Sequence, residues 1–325
     1  MKLRLLLALA SVVVGVAALE VGLWIAGFSF RLWPEQAVFG WPDPITVVAR
    51  YAPDPDVFWV PRNYRTTLER ARGERPAVAF LGDSCTEFGS YHQLLMEQVA
   101  RDTGRRVPWV ALGVGGWSSW QGLQQLRRDV LPLRPRVVTL YYGWNDHWIG
   151  YGIEDREVSR LNRSLLYRLQ GFRLAQLVTK AFVARSATAA AGGHPERVSP
   201  ADFRENLAAM VREARAAGVA PVLLTAPSSH EPGREPEQLE GRWLRKKADL
   251  IPLHQRYVAI VREVAAAEGA ALCDLARRFE EVPREERGEL FNGDGIHLTM
   301  PGDAVIALEL HRCLEREGLL RRITD

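Results

Sequence analysis

Two hydrophobic patterns divide this chain. From Leu5 to Phe30 the residues are apolar almost without interruption, "LLLALASVVVGVAALEVGLWIAGFSF", and Glu20 is the one charge among them. As a helix, about 23 such residues would span about 34 Å, close to the thickness of a bilayer core. From residue 77 the pattern changes to short apolar runs that alternate with amphipathic stretches. "AVAFLG", "VPWVALGV", "RVVTLYYG", "APVLLTAP" and "ALCDL" predict five buried strands. "YHQLLMEQVARDTG", "WQGLQQLRRDVLPL", "DFRENLAAMVREARAAG", "HQRYVAIVREVAAAEG" and "PGDAVIALELHRCLEREG" predict helices between and after them. Asp202 with Glu205 three residues on reads as a capping box, and Pro301 as a helix start. Apolar strands separated by helices indicate an α/β fold, with helices on both faces of a central, mostly parallel sheet.

Three segments break this rhythm. Residues 31–75 are rich in Pro and Trp without a sustained period, and read as an extended connector leaning on the domain or on a membrane surface. Residues 147–200 hold a polar turn, a helix-like "RSLLYRLQGFRLAQLVTKAFV" and the loop "ARSATAAAGGHPERVSP"; residues 228–252 are a charged, Pro-containing excursion after a strand end. Ligands of open α/β sheets bind beyond the carboxyl ends of the strands, so both insertions are candidates to roof a site there, with solvent-facing decoration the alternative. The main domain is expected over 76–325.

Lys2 and Arg4 precede the first apolar run, which fits an N-in, C-out signal anchor over residues 1–30. A cleaved signal peptide is the rival: Val16 and Ala18 are small residues at the positions a peptidase reads, and Glu20 lies just beyond. Either reading sends the domain out of the cytoplasm, held at the cell membrane by a single pass or secreted. With 325 residues, 47% apolar and 25% charged, the chain is long enough for one large domain with a full core. Its formal charge of +3 comes from 42 basic and 39 acidic residues without a basic helix or zinc-finger pattern, so nucleic acid is not an expected partner. Cys85, Cys273 and Cys313 are far apart and include no C-x-x-C pair, which indicates neither a disulfide framework nor a thiolate metal site.

Each of the first three strands of the main domain ends in a polar or glycine-rich patch: Gly82, Asp83 and Ser84; then "GVGGWSS" at 113–119; then "GWND" at 143–146. A fourth, "FNGDGIHL", precedes the last helix and places Asp294 and His297 three residues apart. Parallel strands bring their carboxyl ends to one edge of the sheet, so these patches are expected to meet. Their chemistry is complementary. A serine hydroxyl becomes a nucleophile when an imidazole takes its proton, and the imidazole needs a carboxylate to hold its tautomer. Ser84, His297 and Asp294 supply those groups. The oxyanion formed in acyl transfer needs donors, available from the Ser84 N–H, a glycine N–H of the second patch and the Asn145 amide. Gly116 suits a backbone donor that must approach a substrate closely, and Gly115 is its local rival.

These blocks resemble the SGNH, or GDSL-like, hydrolase family. "FLGDSCTEFG" is similar to the first block, which implies Ser84 as nucleophile and oxyanion donor. "ALGVGGWSS" is similar to the second and implies Gly116; the family's usual Asn at its start is Ala111 here, so a hydrogen bond that commonly steadies this loop is missing. Gly143, Trp144, Asn145 and Asp146 match the third block and imply Asn145 as side-chain donor, and Asp294 with His297 match the last. The resemblance covers roughly residues 76–315 outside the insertions. It implies a three-layer sandwich around a five-stranded, flavodoxin-like sheet, and a serine ester hydrolase that needs neither cofactor nor metal. The expected substrate is an acyl ester, of a lipid or an acylated glycan. Transfer of the acyl group to an envelope glycan, or its deacetylation, is the alternative activity, and a non-catalytic binding protein a third. No G-x-S-x-G elbow is present.

Among the neighbours of these blocks, Trp117, Trp144 and Trp148 are candidates for an aromatic pocket wall, and His147 for a pocket-lining residue. Cys85 is expected to pack rather than react, and Asp83 to order the turn before Ser84. His92, His194, His230, His254 and His311 have no comparable partners in the sequence.

Overall fold

The structure, a computed structural model, describes residues 2–33, 44–189 and 194–325. The first apolar run forms helix α1 (Lys2–Ile25), none of whose side chains is buried in the protein. Among the described residues it is the one helix long and apolar enough to cross a membrane. It stops at a Schellman turn: the Phe28 N–H donates to Leu23 O and the Gly27 N–H to Trp24 O, both at 3.0 Å, with Gly27 at φ 65°.

The expectation of an extended connector over 31–75 is overturned from residue 44 onward, while 34–43 lie outside the described residues. Helix α2 (Pro44–Arg50) leads into an antiparallel ribbon of β1 (Tyr51–Asp54) and β2 (Phe58–Pro61), followed by α3 (Tyr64–Glu74). Tyr51, Val57, Phe58, Trp59, Tyr64 and Leu68 are buried in the same core as the central sheet. Four-residue strands carrying Pro53 and Pro61 are too short and too interrupted to show a period, and a two-stranded ribbon tolerates proline because both its strands are edges. The Tyr64 hydroxyl donates to Asp129 Oδ2 at 2.8 Å and accepts from Gln125 Nε2 at 2.9 Å, which ties α3 to the main domain through buried hydrogen bonds.

The principal elements that follow are β3 (Val78–Gly82), α4 (Ser84–Glu87), α5 (Tyr91–Thr103), β4 (Trp109–Ala111), α6 (Ser119–Gln125) and β5 (Val137–Tyr141). Then come α7 (Asp155–Asn162), α8 (Leu165–Arg168), α9 (Arg173–Ala189), α10 (Pro200–Ala216) and β6 (Ala220–Leu224). Toward the C-terminus come α11 (Leu250–Glu268), β7 (Ala271–Cys273), α12 (Leu275–Glu280) and α13 (Met300–Arg316), with a last short helix over Leu319–Thr324.

The strands form one five-stranded sheet in the order β4-β3-β5-β6-β7, with every neighbouring pair parallel. Alternate side chains of each strand face opposite sides. Ala79 and Leu81 pack with Leu123 of α6, Phe203 of α10 and Tyr257 of α11, whereas Val78 and Phe80 pack with Leu95 of α5 and Ile306 of α13. This is the three-layer sandwich expected. Its order places the first strand of the sheet between the second and third, so β3 and β5 flank the point where successive connections diverge, the usual crevice of open α/β sheets.

Two local expectations shift. Helix α10 starts at Pro200 and is capped by Ser199, whose Oγ accepts from the Asp202 N–H at 3.2 Å, so Asp202 lies within the first turn. The helix-like run in the first insertion divides into α8 and α9. Residues 190–193 of its loop lie outside the described residues.

Trp59 is 5% exposed, its indole N–H donates to Gly115 O at 3.1 Å, and its carbonyl accepts from the Trp117 indole at 3.0 Å. Trp59→Ala should therefore lower stability by about 3–5 kcal/mol, as for a large core aromatic. Urea unfolding followed by circular dichroism checks this; a change within about 0.5 kcal/mol, the size typical of a surface position, would place the ribbon outside the core.

Candidate active site

Gly82 ends β3 where a side chain has no room: a Cβ there would lie 2.1 Å from Thr86 Oγ1 and 2.9 Å from Tyr141 O. Asp83 turns the chain, its Oδ1 accepting from the Cys85 N–H at 2.9 Å, and Ser84 opens the one-turn helix α4. The parallel register pairs Gly82 with Tyr141, so the two strand ends run out side by side. Asn145 thereby meets Asp83, its Nδ2 donating to Oδ2 at 3.2 Å. One amide hydrogen is used in this bond and the other is left for the pocket that Asn145 lines. Burial pushes the Asp83 carboxyl up to about 6, against the pull of the Cys85 N–H, the His297 charge and the Asn145 amide.

The late loop brings His297 onto Ser84. His297 Nε2 lies 2.8 Å from Ser84 Oγ, and Nδ1 lies 2.6 Å from Asp294 Oδ2. Asp294 Oδ1 also accepts the N–H groups of Ile296 and His297, both at 2.8 Å, so one carboxylate folds its own loop and holds the imidazole. Burial alone would raise its pKa; the His297 bond and these backbone donors outweigh it and hold the group at about 2. Burial likewise pushes His297 down, but the Asp294 bond and charge, with Asp83 behind, leave it above its ordinary 6.5.

The second loop is steadied without the Asn that Ala111 replaces. The Gly115 N–H donates to Glu87 Oε2 at 2.5 Å, and Glu87 is itself held by the Tyr51 hydroxyl at 2.7 Å and by Arg50 at 3.2 Å. From the other side the Arg197 guanidinium donates to Gly116 O at 2.5 Å, while bonded to Asp155 and Gln121. With the Gly115 N–H engaged by Glu87, Gly116 is the glycine of this loop that lines the pocket beside Ser84. It has φ 76°, a conformation that favours glycine.

Two cavities flank Ser84. One, of about 260 Å³, is lined by Gly116, Asn145 and an apolar wall of Trp144, Trp148, Leu239, Trp243 and Ile296. The other, of about 240 Å³, lies on the far side of His297 against Phe88, Asn292 and Leu298. Leu239 and Trp243 come from the second insertion, which therefore does cover the site. Sequence reasoning missed them, and also Glu87 and Arg197. Leu239, Trp243 and Arg197 sit in no recognisable block, and Glu87, though inside the first block, is identified only by what it touches.

Two of the proposed wall residues are corrected. Trp117 is fully buried, its ring 6.3 Å from Tyr64 and its indole N–H bonded to Trp59 O, so it faces the core rather than the pocket. His147 is also fully buried and lies behind the wall, its Nε2 3.2 Å from His254 Nδ1. His254 Nε2 lies 2.9 Å from Ala226 O, a contact that needs a proton there. His254 Nδ1 is then the acceptor and His147 Nε2–H the donor, which makes the His254 ring neutral. Burial depresses both, His254 to about 4. His254 stacks on Trp144 at 3.7 Å, so the pair supports the wall from outside the cavity.

The chain belongs to the GDSL-like lipase/acylhydrolase family, whose model matches residues 80–305. Among solved structures, a lipase/acylhydrolase from Enterococcus faecalis, 21% identical, superposes with a TM-score of 0.50, covering 74% of this chain and 96% of that one. A GDSL-like lipase from Parabacteroides merdae, 16% identical, gives a TM-score of 0.50 and coverage of 76% and 97%. At these identities the likeness is one of fold. No match to a curated protein sequence was found.

Cys85 follows Ser84 but is buried, with Sγ 3.7 Å from Ile296 O, and burial together with the Asp83 and Asp294 charges pushes its thiol well up. Iodoacetamide at mildly alkaline pH should leave Cys85 unmodified in the folded protein and modify it in denaturant, read by peptide mass. Labelling of the folded protein at the rate of a free thiol would show instead an accessible, ionisable group.

Proposed function

We propose that this hydrolase is a serine esterase in which Ser84 is the nucleophile, His297 the general base and acid, and Asp294 the group that orients His297. The observation that carries this reading is the continuous hydrogen-bonded line from Asp294 through His297 to Ser84 Oγ, opening into a cavity. Ser84 Oγ attacks the ester carbonyl carbon as its proton passes to His297 Nε2, and Asp294 stabilises the imidazolium. The oxyanion accepts hydrogen bonds from the Ser84 and Gly116 N–H groups and from Asn145 Nδ2. Collapse breaks the bond to the alcohol, which leaves with the proton from His297. Water activated by the same imidazole then releases the acid.

The cavity that contains Gly116 and Asn145 is the natural seat of the acyl group, since the carbonyl oxygen must point at those donors. Trp144 and Trp148 are then its walls, with Trp243 and Leu239 as roof. At about 260 Å³ it is smaller than the ~300–1,000 Å³ of pockets for drug-sized ligands, which favours a short acyl chain.

Helix α1 is read as a retained, single-pass anchor with the catalytic domain on the far side of the membrane. What favours retention over a cleaved signal peptide is that this end of the chain is built into the domain. Both oxygens of Glu20 accept N–H groups of α9, and the Phe30 N–H donates to Gln176 Oε1 at 2.9 Å.

An organophosphonate should label the full-length protein covalently at Ser84, and Ser84→Ala should abolish both labelling and hydrolysis of short-chain esters; undiminished labelling of that variant would remove Ser84 from the mechanism.

The pH profile tests the base. His297 must be neutral to accept the proton and its pKa is raised, so kcat/KM should fall as pH drops through a value above 6.5. Asp294, held at about 2, stays ionised across that range. Asp294→Asn removes the bond and the charge, so the acid limb should move to lower pH while kcat falls on the order of 10⁴-fold. An acid limb that does not move in that variant would detach Asp294 from the base.

A further inference from the structure

We infer that helices α8 and α9 of the first insertion are embedded in the outer leaflet of the bilayer that α1 spans, making the domain a membrane-seated body rather than a globule on a tether. The inference rests on the reading of α1 as a retained anchor and adds a second, independent membrane contact.

The geometry starts from Glu20. With Lys2 and Arg4 at the inner interface, Leu5 to Ile25 advances about 30 Å, the thickness of the hydrocarbon core. Glu20 is five residues short of Ile25, so it lies about 7 Å below the outer hydrocarbon boundary. A carboxylate at that depth is costly unless it is paired. Here Oε1 accepts the Arg173 N–H at 2.7 Å and Oε2 the Leu174 N–H at 2.8 Å, at the start of α9. The positive end of a 17-residue helix is a suitable partner for a buried carboxylate. The same two bonds fix the N-terminus of α9 at the depth of Glu20.

The side chains around that point suit hydrocarbon. Phe172, one residue before α9, is 57% exposed, and Leu165 on α8 is 68% exposed. Leu169, Val178 and Phe182 are also exposed, and Val178 and Phe182 lie four residues apart, on one face of α9. On the adjoining flank of α9, Ala175, Gln176, Thr179 and Val183 are buried in the protein. Exposed apolar groups of this size on a folded domain need a cover. The charge pattern names it: residues 164–189 contain Arg168, Arg173, Lys180 and Arg185 and no acidic residue, which suits an anionic lipid surface. Lys180 lies with Nζ 5.5 Å from the Phe28 ring centroid, beyond the end of α1 where the headgroups begin.

The test is depth-resolved spin labelling of the full chain in nanodiscs of phosphatidylcholine and phosphatidylglycerol. Single nitroxides are placed at Phe172→Cys and Val178→Cys, with Val13→Cys as the reference inside α1 and Glu205→Cys as the reference in water. The native cysteines are buried, and ester hydrolysis confirms that each labelled protein is folded. Labels at 172 and 178 should be relaxed strongly by oxygen and several-fold less by a water-soluble nickel chelate than the label at 205. If 172 and 178 match 205 while 13 is in lipid, the leaflet insertion is wrong and the anchor stands. If 13 is itself accessible to nickel, or intact mass shows a mature N-terminus near Leu19 or Glu20, the anchor reading fails first and the embedding with it.

Discussion

The site depends on the parallel register of β3 against β5. Pairing Gly82 with Tyr141 sends both chains out of the sheet side by side, and the buried Asp83 carboxylate then joins them through the Cys85 N–H and the Asn145 amide. A slip of one residue would reverse which residues face each side of the sheet. It would also separate Ser84 from Asn145. The register is secured by burial on both faces, since all five residues of β3 and all five of β5 are buried. The cost is a carboxylate in a poor dielectric, reflected in a pKa of about 6. Its hydrogen bonds compensate in part, and its negative charge helps to hold His297 above its ordinary range.

The loop after β4 is constrained differently. Within its own sequence the Trp117 N–H donates to Val114 O at 3.1 Å, but Ala111 removes the local device the resemblance led one to expect. Three distant elements take over. Glu87 from α4 binds the Gly115 N–H, Trp59 from the ribbon binds the Gly115 carbonyl, and Arg197 at the end of the first insertion binds the Gly116 carbonyl. The ribbon and the insertion, which lie outside the repeating strand-helix pattern, thus bear directly on the proposed oxyanion geometry. An oxyanion donor placed this way would be pre-organised before substrate arrives, which is where such donors derive their effect.

The first insertion also connects the N-terminal end of the chain to the pocket. The Phe30 ring stacks on Tyr151 at 6.3 Å, and the Ile149 N–H donates to the carbonyl of Trp243, whose ring roofs the proposed acyl site. A domain seated on α1, α8 and α9 would carry that roof at a fixed height above the lipid.

Periodicity and apolar content alone determined much of this protein. The five strands, the helices on both faces and the apolar helix at the start were legible because each is written locally in a run of apolar residues, and short blocks marked Ser84, Asn145, Asp294 and His297, which the fold brings to one pocket. For the loop after β4 the sequence offered Gly116 with Gly115 as its rival, and with the Gly115 N–H bonded to Glu87 it is Gly116 that lines the pocket. The ribbon at 51–61 was not legible, since four-residue strands interrupted by proline carry no period. Of the four candidates for a pocket wall, two line the cavity. Trp117, Trp144, His147 and Trp148 are alike in sequence context, and only packing turns Trp144 and Trp148 to the cavity while Trp117 and His147 face the core. Trp243, Glu87, Arg197 and the Glu20 cap on α9 were decided by tertiary structure alone, because a contact between residues 153 positions apart, as between Glu20 and Arg173, leaves no trace in the local pattern of either.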